Sequence, residues 1–140
     1  MSISYTLYLE DGRSSEAVLD EIARALAPGG AKTQGGVALP HLWVGAGLVR
    51  PPVDGYVRED HGFAPRLCVS MRLDKEHLGP AQDEILAVVR LLLRGSSGDA
   101  VLLREADALA LRRRKGKVEV KDDALWADPR RRREAESLAR

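Results

Sequence analysis

Strict period-two alternation occurs twice in this chain, and each time a stretch of helical period follows it. Ile3, Tyr5, Leu7 and Leu9 alternate with Ser4, Thr6, Tyr8 and Glu10; Leu67, Val69, Met71 and Leu73 alternate with Arg66, Cys68, Ser70 and Arg72. Successive strand side chains point to opposite faces, so each run predicts a strand with one buried face. After the Asp11-Gly12 turn, Ser14 or Ser15 caps a helix whose Val18, Leu19, Ile22, Ala23 and Leu26 form one stripe, and Pro28-Gly29-Gly30 stops it. After the second strand, Gly79-Pro80 opens a helix, with Pro80 suited to its first position and Asp83 and Glu84 favourable near its positive end. Ile85, Leu86, Val88, Val89, Leu92 and Leu93 form its inner face, and Gly95-Ser96-Ser97-Gly98 ends it. Two such units imply helices packed on one face of a mostly antiparallel sheet.

The rest of the chain fits that plan unevenly. Val101 to Arg104 and Ala108 to Arg112 read as strands joined by Glu105-Ala106-Asp107, and Lys115-Gly116 turns into a short strand at Val118 and Val120. The order is β-α-β-β-α-β plus a C-terminal hairpin, an α+β arrangement related to the ferredoxin-like plan. A length of 140 residues suits a single domain over 1–140, with Leu7, Val69, Ile85 and Val89 in one core and a basic tail or short helix over 128–140. Between Gly29 and Pro65 the signals weaken. Val37 to Leu39 and Leu42 to Val49 are strand-forming but broken by Pro40, Gly45 and Gly47, while Pro51-Pro52, Asp54-Gly55 and His61-Gly62 mark loops.

Catalytic and metal chemistry find little purchase in the pattern. Gly29-Gly30-Ala31-Lys32-Thr33 lacks the glycine before lysine, and the strand-to-helix setting, that a phosphate loop needs; it reads as a helix stop. His41, His61 and His77 lie in different loops without ligand spacing, and one cysteine cannot build a structural zinc site, so no metal and no cofactor is expected. His77 with Asp74 and Glu76 reads as a polar approach to a helix rather than an acid–base cluster. Ser96 and Ser97 lack a nucleophile elbow, and Asp122-Asp123 reads as a solvated turn. Cys68 reads as a small packed residue. No reaction is expected of this chain.

Charge excludes some partners. The chain carries 22 basic and 21 acidic residues, a near balance that argues against a dedicated nucleic-acid binder. The basic residues concentrate late, in Arg112-Arg113-Arg114-Lys115 and Arg130-Arg131-Arg132-Arg133, which read as a solvated, ion-paired face. Without a secretory n-region or a long apolar stretch, the expected location is cytoplasmic, and the lone Cys68 fits a reducing compartment.

Several segments resemble one family. Val69-Ser70-Met71-Arg72-Leu73-Asp74-Lys75-Glu76 is similar to its strand and Arg-Leu-Asp-Lys turn, and Ile85-Leu86-Ala87-Val88-Val89-Arg90-Leu91-Leu92-Leu93 to its amphipathic helix. Gly98-Asp99-Ala100-Val101-Leu102-Leu103 and Leu109-Ala110-Leu111-Arg112-Arg113 resemble the strands that follow, Trp126 and Pro129 sit where that family has them, and Tyr5-Thr6-Leu7 is like its first strand. The family is the third type of immunity protein from bacterial Sit toxin–immunity systems. In these, a polymorphic lipoprotein toxin passes between sibling cells by outer-membrane exchange and a cytoplasmic immunity protein protects kin. The resemblance implies inhibition by binding a cognate toxin domain. The polybasic tail from Arg130 departs from the pattern.

A specific binding surface needs aromatic or arginine anchors inside a polar rim. Trp43, Tyr56 and Phe63 are the candidate anchors, with Glu59 and Asp60 as charged companions, all within the irregular middle segment. The alternative is a small nucleic-acid-associated regulatory protein using the C-terminal arginines, whose binding would fall steeply with salt.

Overall fold

Antiparallel pairing of the two alternating runs forms the centre of the molecule. In a computed structural model describing residues 3–27, 35–105 and 107–139, β1 (Ile3–Leu9) pairs with β4 (Leu67–Leu73) in the register Ile3↔Leu73 through Leu9↔Leu67. β5 (Ala100–Arg104) flanks β1 on its other side, and β3 (Leu42–Leu48) flanks β4. With β2 (Val37–Ala38) at one edge and β6 (Ala108–Arg114) and β7 (Lys117–Val120) at the other, the order is β2-β3-β4-β1-β5-β6-β7. The inner four, β3-β4-β1-β5, with one helix in each long connection, form a ferredoxin-like arrangement, the plan to which the element order is related; the strand order itself did not follow from sequence.

Alternation decides which face is covered. Tyr5, Leu7 and Leu9, Leu67 to Leu73 at every second position, Leu42, Val44, Leu102 and Leu111 all point inward. Against them lie α1 (Ser15–Leu26), through Val18, Ile22 and Ala23, and α3 (Leu78–Arg94), through Ala81, Ile85, Val88, Val89 and Leu92. Leu7, Val69, Ile85 and Val89 fall in this one continuous core. Ser14 caps α1 by accepting from the Ala17 amide at 3.0 Å. α3 begins at Leu78, directly after a 3-10 turn at Lys75–His77, so Pro80 is its third residue and not its first. The proposed stop at Pro28-Gly29-Gly30 and the loop to Thr33 lie outside the described residues.

The basic runs are built into this frame and are not a uniform solvated face. β6 carries a bulge opposite Leu102/Leu103, and alternation from Leu111 turns Arg113 inward, where it is 1% exposed. Its guanidinium donates to the carbonyls of Leu93, Ser96, Gly98 and Leu138 at 2.7–3.3 Å, tying the end of α3 to the segment before β5 and to the C-terminal region. Several carbonyls left over at a helix end concentrate negative potential, which an arginine fork satisfies well. The bulged Ala110 offers its own carbonyl to Trp126 Nε1 at 2.9 Å and to the Lys121 amide at 3.1 Å.

The second basic run forms α4 (Pro129–Glu136), begun by Pro129 and capped by Asp128. Arg131 is buried, donating to Asp83 at 2.8 Å and to the Leu125 carbonyl at 3.3 Å, and Arg130 reaches the same carboxylate at 3.0 Å. Arg90 of α3 pairs with Glu134. Of Asp122-Asp123, only the first is solvated as expected: Asp122 is exposed, whereas the Asp123 carboxylate is 1% exposed. It accepts from Tyr5 Oη at 2.5 Å and from the Leu125 amide at 3.0 Å, beside Arg104 at 3.2 Å.

Candidate functional site

The outer face of the sheet is where helix packing is incomplete. Its residues are Trp43, Gly45 and Gly47 on β3, then Arg72, Ser70 and Cys68, then Ser4, Thr6 and Tyr8, then Leu103 and Val101, and finally Arg112 and Glu119, neighbours by register. Among the described residues one helix lies on it, α2 (Val53–His61), in the stretch whose Pro51-Pro52 and Asp54-Gly55 read as loops. Only Val57 of α2 is buried, and the apolar stripe of Val53, Tyr56 and Val57 spans a single turn, too short to mark a helix in the sequence. Val57 and Phe63 pack on Val101 and Leu103, with Tyr8 and Leu109 at the margin.

This packing corrects one expected anchor. Phe63 is 4% exposed and fills the layer between α2 and the sheet, because a phenyl ring following the helix gains more by covering Val101 and Leu103 than by facing water. Tyr56, one turn along α2 from Asp60, is the opposite case, 60% exposed. It borders a groove of about 190 Å³ with Tyr8, Val53 and Leu103.

Glu59 and Asp60 come together with residues far from them in sequence, part of the first basic run among them. They line an open cleft of about 490 Å³ with His61, Gly62, Arg112, Arg114, Lys117, Val118 and Glu119. Gly62 ends α2 at φ +80, and a side chain there would also meet Arg114 Nη1 at 2.1 Å. Arg114 uses that approach to donate to the His61 carbonyl at 3.0 Å. Arg112 donates to Glu119 at 2.6 Å and lies 3.3 Å from His61 Nδ1. Arginine can only donate, so Nδ1 is the bare imidazole nitrogen. Burial, and secondarily Arg112, holds the His61 pKa below its ordinary value, which favours that neutral form. The lining carries no hydroxyl or thiol, and it offers charges of both signs to a polar surface.

Trp43 lies at the other end of the same face. Its indole leans over Gly36 and Gly45, where an added Cβ would come within 2.7 Å of the ring. The Arg72 guanidinium sits 5.6 Å from the ring centroid, a cation–π pair on neighbouring strands. Ser4, Thr6 and Ser70 floor a shallow hollow beside the pair. Trp43 and Tyr56 thus belong to one face, with the floor of β4 and β1 between them.

Cys68 on this floor is half-buried. Burial pushes its thiol above the ordinary value despite a backbone hydrogen bond at Gly47, and a thiol so placed is a poor nucleophile.

The family model described as SitI3-like matches residues 3–131, which takes in every strand and both faces of the sheet. The chain belongs to the SitI3-like family. Membership places it among toxin-immunity proteins, as the resemblance of its strands and long helix implied. Comparison with curated proteins and with solved structures gives no match. The match extends through α2 and the Trp43 strand, so in this SitI3-like chain the incompletely covered face lies inside the family unit. Among the described residues no helix is long and apolar enough to cross a membrane.

Proposed function

We propose that this chain neutralises one cognate toxin domain by binding it with the outer sheet face and the exposed side of α2. The family match over residues 3–131 carries the immunity reading. The Trp43–Arg72 pair, Tyr56, and the Glu59 and Asp60 rim support the choice of surface. Aromatic and arginine side chains held by a rigid sheet lose little entropy on docking, and a rim of mixed charge suits selection among polymorphic partners. The partner is a toxin of the lipoprotein type delivered between sibling cells, met in the cytoplasm, and inhibition needs no reaction by the inhibitor. The nucleic-acid alternative loses its main support, because Arg113 and Arg131 are buried and Arg112, Arg114 and Arg130 engage acidic or carbonyl partners.

Co-expression of the chain with the toxin encoded beside it, scored by survival, tests this reading. Tyr56→Ala and Trp43→Ala should each weaken binding by about 1 kcal/mol or more, with melting curves near the parent's. Arg132→Ser and Arg133→Ser, exposed on α4 at the far side of the sheet, should leave survival unchanged. Protection lost with the α4 variants and kept with the outer-face variants would move the interface to the helical layer.

A further inference from the structure

A histidine cluster lies at the opposite edge from the charged cleft, next to Trp43 and Arg72, and its Asp74 also caps the 3-10 turn. The ladder of β3 and β4 pairs Leu42 with Leu73, and the next step outward sets His41 beside Asp74, whose amide donates to the His41 carbonyl at 3.0 Å. The 3-10 turn at Lys75–His77 then brings His77 back over Asp74. The two histidines, which sequence places in separate loops, therefore stack with ring centroids 4.6 Å apart. One nitrogen from each imidazole and one oxygen of Asp74 lie within 4.8 Å of one another.

We propose that His41, Asp74 and His77 form a binding site for one divalent transition-metal ion, zinc being the ion these donors suit best. The two imidazoles are borderline ligands that favour zinc-like ions over magnesium or calcium, and a carboxylate oxygen is an accepted third ligand at zinc. Bonds of about 2.0–2.1 Å in a tetrahedron hold donor atoms roughly 3.3 Å apart. The distances to Asp74 Oδ2 bracket that value: 2.9 Å from His77 Nδ1 and 4.0 Å from His41 Nδ1.

Two further observations point to a ligand. His41 Nδ1 is buried without a hydrogen-bond partner, a state that costs free energy unless something fills the position. The frame is also held before any ion arrives. The His41 amide donates to both Glu84 carboxylate oxygens, at 3.0 and 3.1 Å, and Asp74 Oδ1 accepts from the Glu76 amide at 3.0 Å. That leaves Oδ2 directed at the two rings. Glu84 places a second negative charge behind the site. His77 and Asp74 are about half exposed, so an ion can enter and complete its shell with water. Bound there, it clamps the turn between β2 and β3 to the start of α3.

The test uses the full chain without an affinity tag, stripped with a chelator, dialysed, and titrated with zinc chloride by calorimetry and with cobalt chloride by absorption. One zinc per chain is expected, with a thermal midpoint that rises as zinc is added. His77→Gln and His41→Gln should each weaken binding about tenfold or more, and His61→Gln, remote on α2, should not change it. Melting of the chelated variants shows whether each remains folded; His77 is exposed, so His77→Gln decides the matter if His41→Gln does not fold. Absence of saturable one-to-one binding, or binding that survives His77→Gln unchanged, overturns the proposal. None of these outcomes depends on the toxin or on protection.

Discussion

Arg113 shows what a single residue contributes when a strand turns it inward. Its partners include four backbone carbonyls from three separate parts of the chain, so truncation would leave several buried acceptors without donors. Arg113→Ala should lower unfolding free energy by about 3 kcal/mol or more in urea titration, and Arg113→Lys should recover little, since one ammonium cannot span the fork. A loss near zero would mean that water replaces the guanidinium. The clue was present in the sequence, because alternation from Leu111 puts Arg113 on the core side. It is hidden by the run of arginines, which composition alone reads as solvated. Asp11 gives a pH test. Burial raises its pKa, but hydrogen bonds and charge from Arg13 outweigh this and hold it below the ordinary carboxylate value. A depressed folded-state pKa contributes stability that is complete above the unfolded value of about 3.9 and is lost as pH falls through the folded value. Asp11→Asn should therefore lower the urea midpoint at pH 7 and flatten its decline in acid. A variant as acid-sensitive as the parent would assign that decline to other carboxylates.

At the scale of elements, strands and long helices were legible and α2 was not. β1, β4, α1 and α3 each bury a regular stripe, so hydrophobic period reveals them. α2 buries one side chain, carries Gly55 within it and follows two prolines, so every local signal says loop while packing on Val101 and Leu103 makes helix. The same blind spot explains the candidate anchors. Sequence could choose the middle segment's aromatics but could not tell that an unseen helix would leave Tyr56 outside and set Phe63, just past its end, against the sheet. Phe63→Ala should cost about 3 kcal/mol by opening a cavity beneath α2, whereas Tyr56→Ala should stay within about 0.5 kcal/mol of the parent. Urea titration of the two proteins checks this contrast. Equal stabilities would mean that α2 rests only loosely on the sheet. The histidine cluster escaped sequence reading for a related reason, since His41 and His77 meet only through the β3–β4 register.

The whole molecule is organised by the difference between its sheet faces. The face bearing α1, α3 and α4 holds the main core, while the other is partly covered by α2 and keeps polar residues, a tryptophan and a tyrosine accessible. The ferredoxin-like core followed from two strand–helix units plus a hairpin, and β2 falls within the strand-forming Val37 to Leu39, but the helix on the second face did not follow, since it has no long apolar period. If the proposed interface holds, this division lets its residues vary without reaching the main core. It also fixes where a single charge does most harm. Val89 is 1% exposed, in the same core cluster as Leu7, Val69 and Ile85. Val89→Asp buries a carboxylate there, at a cost of several kcal/mol before any repacking. That is a large part of the roughly 5–15 kcal/mol that stabilises a typical domain. The expected result is a thermal transition that is lost or lowered by many degrees, with protection lost in parallel. Trp43→Ala on the other face should keep its transition and lose protection alone. A native-like melt for Val89→Asp would mean that α3 presents a different side to the sheet.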